Sequence, residues 1–169
     1  MTAKRRGWLT AFVPHRLELM VSPAWAVRPM PLIRLLGRLE IEHLRHGGQN
    51  NGRLYVSYSQ FVAGGISRRT IAAAIEAGGR LGLLEVVRSD VISGDLREPN
   101  AYRLTYVEGL NGKAPTDEWR TVSKERALAI VAEFRNATGT KSKQSPSSQR
   151  EAAFPASQMG LSVPFPAVG

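Results

Sequence analysis

Ser57-Tyr58-Ser59-Gln60-Phe61-Val62-Ala63-Gly64-Gly65-Ile66-Ser67-Arg68-Arg69-Thr70-Ile71 is the stretch on which the fold turns. Ser57 followed three residues later by Gln60 is a capping box, so a helix begins at Tyr58. That helix is short, because Gly64-Gly65 stops it after Phe61 and Val62. Ser67 is placed to cap a second helix. Ile66 before it and Ile71 after it stand at the two positions of a hydrophobic staple. The spacing predicts this second helix from Arg68 to about Leu81, burying Ile71, Ala74, Ile75 and Gly78, with Gly82 closing it. Two helices joined by a tight turn of small residues are the sequence form of a helix-turn-helix.

Working outward, Leu32, Leu35, Leu36, Leu39 and Leu44 recur at helical spacing, with Ile41 nearby. They predict an amphipathic helix over Pro31–Arg45, ended by Gly47-Gly48. Gln49 to Gly52 reads as a polar turn and Arg53 to Ser57 as a short strand. On the other side, Leu84, Val86 and Arg88 alternate with Glu85 and Val87, and Tyr102, Leu104 and Tyr106 alternate after the Ser-, Asp-, Gly- and Pro-containing loop 89–100. These two strands predict a hairpin with a long tip. Helix, short strand, helix, turn, helix, β-hairpin is the order of a winged helix. The expected fold is therefore mainly α with a small β-hairpin: a winged helix-turn-helix domain followed by a C-terminal helix and a disordered tail.

The expected organisation is a basic N-terminal arm at 1–29, the winged helix-turn-helix domain at 30–107, a linker and helix at 108–137, and the tail at 138–169. In the arm, Ser22-Pro23-Ala24-Trp25 reads as a cap with Pro at the first helical position, turning Trp25 inward. Phe12, Leu17, Leu19 and Met20 are further residues that could pin it to a core. Asp117 or Ser123 can cap the C-terminal helix, for which Leu128, Val131, Ala132 and Arg135 predict one modest apolar face. That face is also the expected homodimer contact. The tail is Ser-, Gln-, Pro- and Lys-rich.

The chain has 169 residues, 23 Lys plus Arg against 14 Asp plus Glu, and a formal charge of +9. A strongly basic balance points to nucleic acid. The excess is uneven: +4 over residues 1–29, +3 over 30–107, zero over 108–137 and +2 over 138–169. Lys4-Arg5-Arg6 makes the arm the densest positive segment, suited to adding salt-dependent affinity for phosphates. The hairpin region 84–107 is slightly acidic, at −1, with Arg97 the one candidate for a phosphate contact at its tip. Cys is absent, which excludes disulfides, thiolate metal sites and a Cys nucleophile. No apolar run reaches the ~18 residues of a membrane span. The six-residue run Trp8 to Val13 behind Lys4-Arg5-Arg6 is too short for a signal peptide. A cytoplasmic protein is the expectation, with no membrane partner.

At Asn51-Gly52-Arg53-Leu54 through Tyr102-Arg103-Leu104-Thr105 the sequence resembles a family of small, largely uncharacterised alphaproteobacterial winged helix-turn-helix proteins, of the kind found at mobile-element and replication-type loci. The shared motifs include Phe12-Val13-Pro14, Ser22-Pro23-Ala24, Arg38 to Glu42, His46-Gly47-Gly48, Phe61-Val62, Gly65-Ile66, Ala73-Ala74-Ile75, Gly82-Leu83, Pro99-Asn100 and Pro115 to Trp119. The resemblance spans residues 12–120 and implies a winged-helix fold and DNA binding. Ala77-Gly78-Gly79 departs from the family pattern, where stronger helix formers stand. Each interior Gly costs about 1 kcal/mol relative to Ala, so either the helix is weakened or a neighbouring backbone packs close.

The expected partner is double-stranded DNA. A recognition helix presents its N-terminal residues to base edges. Ser67 and Thr70 lie at its start, and Arg68, Arg69, Ala72, Ala73 and Glu76 point outward. Arg makes bidentate bonds to guanine. The two Ala allow close approach and contact with a thymine methyl. A protein partner docking on the same scaffold is the alternative. Glu40 and Glu42, two apart, do not share a helix face. His43 and His46, three apart, lack a third ligand, and are read as a surface helix end favoured by the dipole. His15 has no identifiable Ser or Asp partner, and no nucleophile elbow, phosphate loop or HExxH motif occurs. Neither catalysis, metal nor cofactor is expected.

Overall fold

The computed structural model describes residues 11–87 and 100–139. Among them are six α-helices and a three-stranded antiparallel sheet: α1 (Leu17–Met20), α2 (Pro23–Ala26), α3 (Met30–Arg45), β1 (Leu54–Tyr55), α4 (Tyr58–Ala63), α5 (Arg68–Arg80), β2 (Leu84–Val87), β3 (Ala101–Leu104) and α6 (Lys124–Thr138). Short 3₁₀ turns lie at Leu110–Gly112 and Glu118–Thr121. None of the described helices is long and apolar enough to cross a membrane. Lys4, Arg5, Arg6, the hairpin tip with Arg97, and the tail from residue 140 lie outside the described residues.

α3 is the central helix. It starts with Pro31 in its first turn and ends where Gly47 and Gly48 take positive φ. Leu32, Leu35, Leu36 and Leu39 are fully buried. His43 joins them, which corrects its expected place at an exposed helix end. It lies four residues beyond Leu39, on the buried side of the helix, whereas Ile41 faces outward. Burial lowers the His43 pKa below the usual histidine value and its Nδ1 has no hydrogen-bond partner among the described residues. Glu40 and Glu42 do face different neighbours: Glu40 accepts from Tyr106 and pairs with His15, and Glu42 pairs with Arg38 and His46.

The sheet has the order β1-β3-β2, so the short strand and the hairpin form one unit. β2 and β3 register Leu84 with Leu104 and Val86 with Tyr102. β1 adds Leu54 opposite Tyr102. β3 ends at Leu104, earlier than the alternation predicts, and Thr105 beyond it stays tied to the residues just before β2. Its N–H donates to Leu83 O and its hydroxyl to Gly82 O. Asn51, read as part of a polar turn, is buried. Its Nδ2 donates to Leu104 O and Val107 O, and its Oδ1 accepts from Leu104 N, at 2.7–3.0 Å. This side chain fastens the loop after α3 to the end of β3, and every bond it makes removes a polar group that would otherwise be buried unpaired.

The N-terminal stretch is attached to the same core. Ser22 caps α2 by accepting from Trp25 N. Leu19 and Ala24 are buried and Trp25 is half-buried, but Phe12, Leu17 and Met20 are exposed and pin nothing. The ring of Trp25 meets His15 and Tyr106 edge-on, at 4.9 and 5.3 Å between centroids, and the Arg28 guanidinium lies over the ring, 3.2 Å from its centroid.

Ser123, not Asp117, caps α6. Asp117 instead adopts a left-handed conformation before the 3₁₀ turn. The buried face of α6 is Ala127, Ile130, Val131 and Phe134, packed against α5 and α2. This overturns the expected face: Leu128, Ala132 and Arg135 are exposed. The two stripes have the same helical spacing and share Val131, so periodicity does not separate them. The larger apolar side chains Ile130 and Phe134 do. The face assigned to a homodimer is thus not the one α6 buries, and its buried face is used within the chain.

Candidate nucleic-acid interface

α5 is positioned by both of its ends. Before it, the Ser57/Gln60 capping box forms in full around α4, with Ser57 Oγ accepting from Gln60 N and Gln60 Oε1 accepting from Ser57 N. Gly64 and Gly65 end α4, and Gly65 takes φ +83°. Ile66 and Ile71 are both buried, as the staple requires. Ser67 is the N-cap by backbone conformation. Its side chain makes no capping hydrogen bond, contrary to expectation. Thr70 is turned back instead, its hydroxyl donating to Ser67 O at 2.8 Å.

After α5, the chain is clamped. Ile71, Ala74, Ile75, Ala77 and Gly78 are buried. The departure at Ala77-Gly78-Gly79 has a packing reason at one position. A Cβ on Gly78 would lie 2.7 Å from Leu84 Cδ2 and 2.9 Å from Leu32 Cδ1. Side chains, not a neighbouring backbone, occupy the space. Gly79 meets only Leu84 O, at an ordinary 3.8 Å. At Gly82, φ is +67° and the backbone of Glu118 and Trp119 crosses so closely that a Cβ would sit 2.6 Å from Trp119 N.

The outward residues follow the expected wheel with two refinements. Ser67, Arg68, Arg69, Ala72 and Glu76 are exposed. Thr70 and Ala73 are half-buried, and Ala73 packs against the core. Arg68 and Arg69 make no ion pair or hydrogen bond to other described residues, and the first turn of α5 holds no acidic residue. Elsewhere, Arg16 pairs with Asp117, Arg38 with Glu42, Arg80 with Glu133, Arg103 with Glu85 and Glu118, and Arg120 with Glu18 and Asp117, whereas Arg28, Arg34, Arg45, Arg53, Arg126 and Arg135 form no ion pair with a described carboxylate. The Asp117 carboxyl is held below its usual pKa by Arg16, Trp119 and Arg120, against the opposing effect of burial.

Sequence reading did not single out Arg34. It projects from α3, and its Nη1 donates to Gly65 O at 2.6 Å, which brings it to the turn before α5. A 31-residue separation leaves no periodic signal for such a contact. The only hint is its place, as one of several charged residues, on the outer flank of an amphipathic helix. No family model, curated protein or solved structure matches the chain.

Proposed function

We propose that the chain is a duplex-DNA-binding protein of winged helix-turn-helix design, with α4 and α5 as the helix pair, β2 and β3 as the wing, and α5 reading the major groove. The observation that carries this reading is the state of Arg68 and Arg69. Two exposed arginines with no carboxylate partner among the described residues stand in the first turn of α5. A cation there faces the positive end of the helix dipole and costs about 0.3–1 kcal/mol. A local choice that opposes stability is expected where function demands it, and a polyanion supplies the missing counter-charge. The small Ala72 beside them leaves room for a groove wall. The reading includes the family suggested by the sequence, a role in transcription or replication control within the cytoplasm, and no catalytic step.

The test is selection of bound sequences from a random duplex pool, then binding of the selected site by the Arg68→Ala, Arg69→Ala double variant. Each bidentate contact to a base contributes about 1–3 kcal/mol, so roughly 100-fold or greater loss is expected, with relaxed specificity. Unchanged affinity and specificity overturn the assignment.

A second reading, a winged-helix scaffold that docks a protein, is favoured by a different observation. The outer side of α3 exposes Met30, Ile33 and Ile41, away from the leucines that it buries. A salt titration separates the two. Binding to DNA weakens steeply as salt rises, whereas no retention of DNA at low salt favours the protein partner.

A further inference from the structure

Arg34 is the described arginine that reaches the α4–α5 turn from another helix. Its guanidinium is exposed, and the bond to Gly65 O occupies one of five donors. It has no carboxylate partner among the described residues. Arg28 is also bonded to a carbonyl, but it is half-buried and stacked on Trp25. Gly65 is favoured here by its backbone, and a side chain would also press lightly on the guanidinium. Its φ is +83°, and a Cβ there would approach Arg34 Nη1 to 3.1 Å. The turn therefore fixes a planar, permanently charged fork three residues before Arg68. Because the fork comes from α3 and not from the face of α5, it stands at the rim of the groove-facing surface, where phosphates lie and base edges do not.

We propose that Arg34 is a phosphate-contacting residue of the DNA interface, held in position by the Gly65 carbonyl. The proposal rests on the DNA-binding reading above and adds a contact that carries register and affinity but no sequence information. Arg45 is the internal control. It lies on the same helix, exposed and without an ion-pair partner among the described residues, but 11 residues on, about 16 Å along the axis.

The experiment uses the full chain and two duplexes, the selected site and an unrelated sequence, each titrated over a range of salt. Arg34→Met is expected to weaken binding to both roughly tenfold and to reduce the slope of log K against log salt by about 0.9. Its specificity ratio is expected to be unchanged. Arg34→Lys keeps the charge and is expected to keep the slope. Arg45→Met is expected to leave both quantities as in the parent. Thermal melting checks the fold, and Arg34→Gln, which retains a donor for Gly65 O, carries the same test if the Met variant melts early. The proposal is overturned if the charge-removing variants at 34 keep the full slope, or if Arg45→Met lowers it equally, which would mean diffuse charge. A parent chain that binds neither duplex at low salt overturns the DNA-binding reading itself, an outcome distinct from a slope that does not change.

Discussion

Arginine stands at both ends of α5, and the two ends use it differently. At the C-terminal end, Arg80 sits where the helix dipole favours a cation and is paired with Glu133, which raises its pKa. Around it, Leu32, Leu84 and the crossing of Glu118 and Trp119 close the space over Gly78 and Gly82. At the N-terminal end, Arg68 and Arg69 sit where the dipole opposes them, and no described carboxylate answers their charge. One helix thus has an end built for packing and an end whose charge no described residue answers. Total charge says nothing of this division. The placement of each arginine relative to the dipole and to the nearest carboxylate does.

The contrast can be broken most severely at the packed end. Gly82→Ala combines a left-handed backbone with a Cβ pressed on the Trp119 amide. It is expected to destabilise by about 3 kcal/mol or more, read as early melting. At the open end, Arg68→Glu with Arg69→Glu is expected to cut DNA affinity by more than about 100-fold. It should nevertheless raise stability by about 0.5 kcal/mol, because the new charges match the dipole. A double variant that both unfolds and loses binding would refute the separation of the two ends. Gly78→Ala is expected to cost roughly 1–3 kcal/mol through overpacking against Leu84 and Leu32. Gly79→Ala, one residue on with room for a methyl, is expected to gain about 0.5–1 kcal/mol. Denaturant midpoints of opposite sign check the pair.

The smallest expected effect is a pH dependence in α3. The buried His43 has a folded-state pKa below the ordinary histidine value of 6.5, chiefly through burial, with Glu40 opposing. The unfolded chain therefore takes up the proton first as pH falls. The contribution of neutral His43 is fully present above about pH 6.5 and is lost as pH drops through and below that value. His43→Gln is expected to flatten this acid-side fall in melting temperature. A profile unchanged by the substitution would remove His43 as its cause.

Legibility in the sequence followed the range of the interaction. The Ser57/Gln60 box, the Ile66/Ile71 staple, the Ser22 cap and the leucine stripe of α3 were readable because each is decided within about one or two helical turns. The exposed set at Arg68, Arg69 and Ala72 followed from the same wheel. The apolar face of α6 was misread, since two stripes of equal spacing compete there and only the bulk of Ile130 and Phe134 distinguishes them. His43 was misplaced because a polar residue type was given more weight than its position four beyond Leu39. The Ser67 side chain makes no cap because the Thr70 N–H it would accept from is already bonded to the Ser67 carbonyl.

By itself, then, the sequence determined where helices start and stop, which face of α5 is apolar, and where arginine meets the unfavourable end of a dipole. These are consequences of local hydrogen bonding and of the 3.6-residue period. Only the tertiary structure decided that Asn51 pins β3, that Leu84 fills the place of a Gly78 side chain, and that Arg34 reaches the turn at Gly65. Each of those depends on groups distant in the chain being brought within a few ångströms, and no periodicity along the sequence encodes that distance.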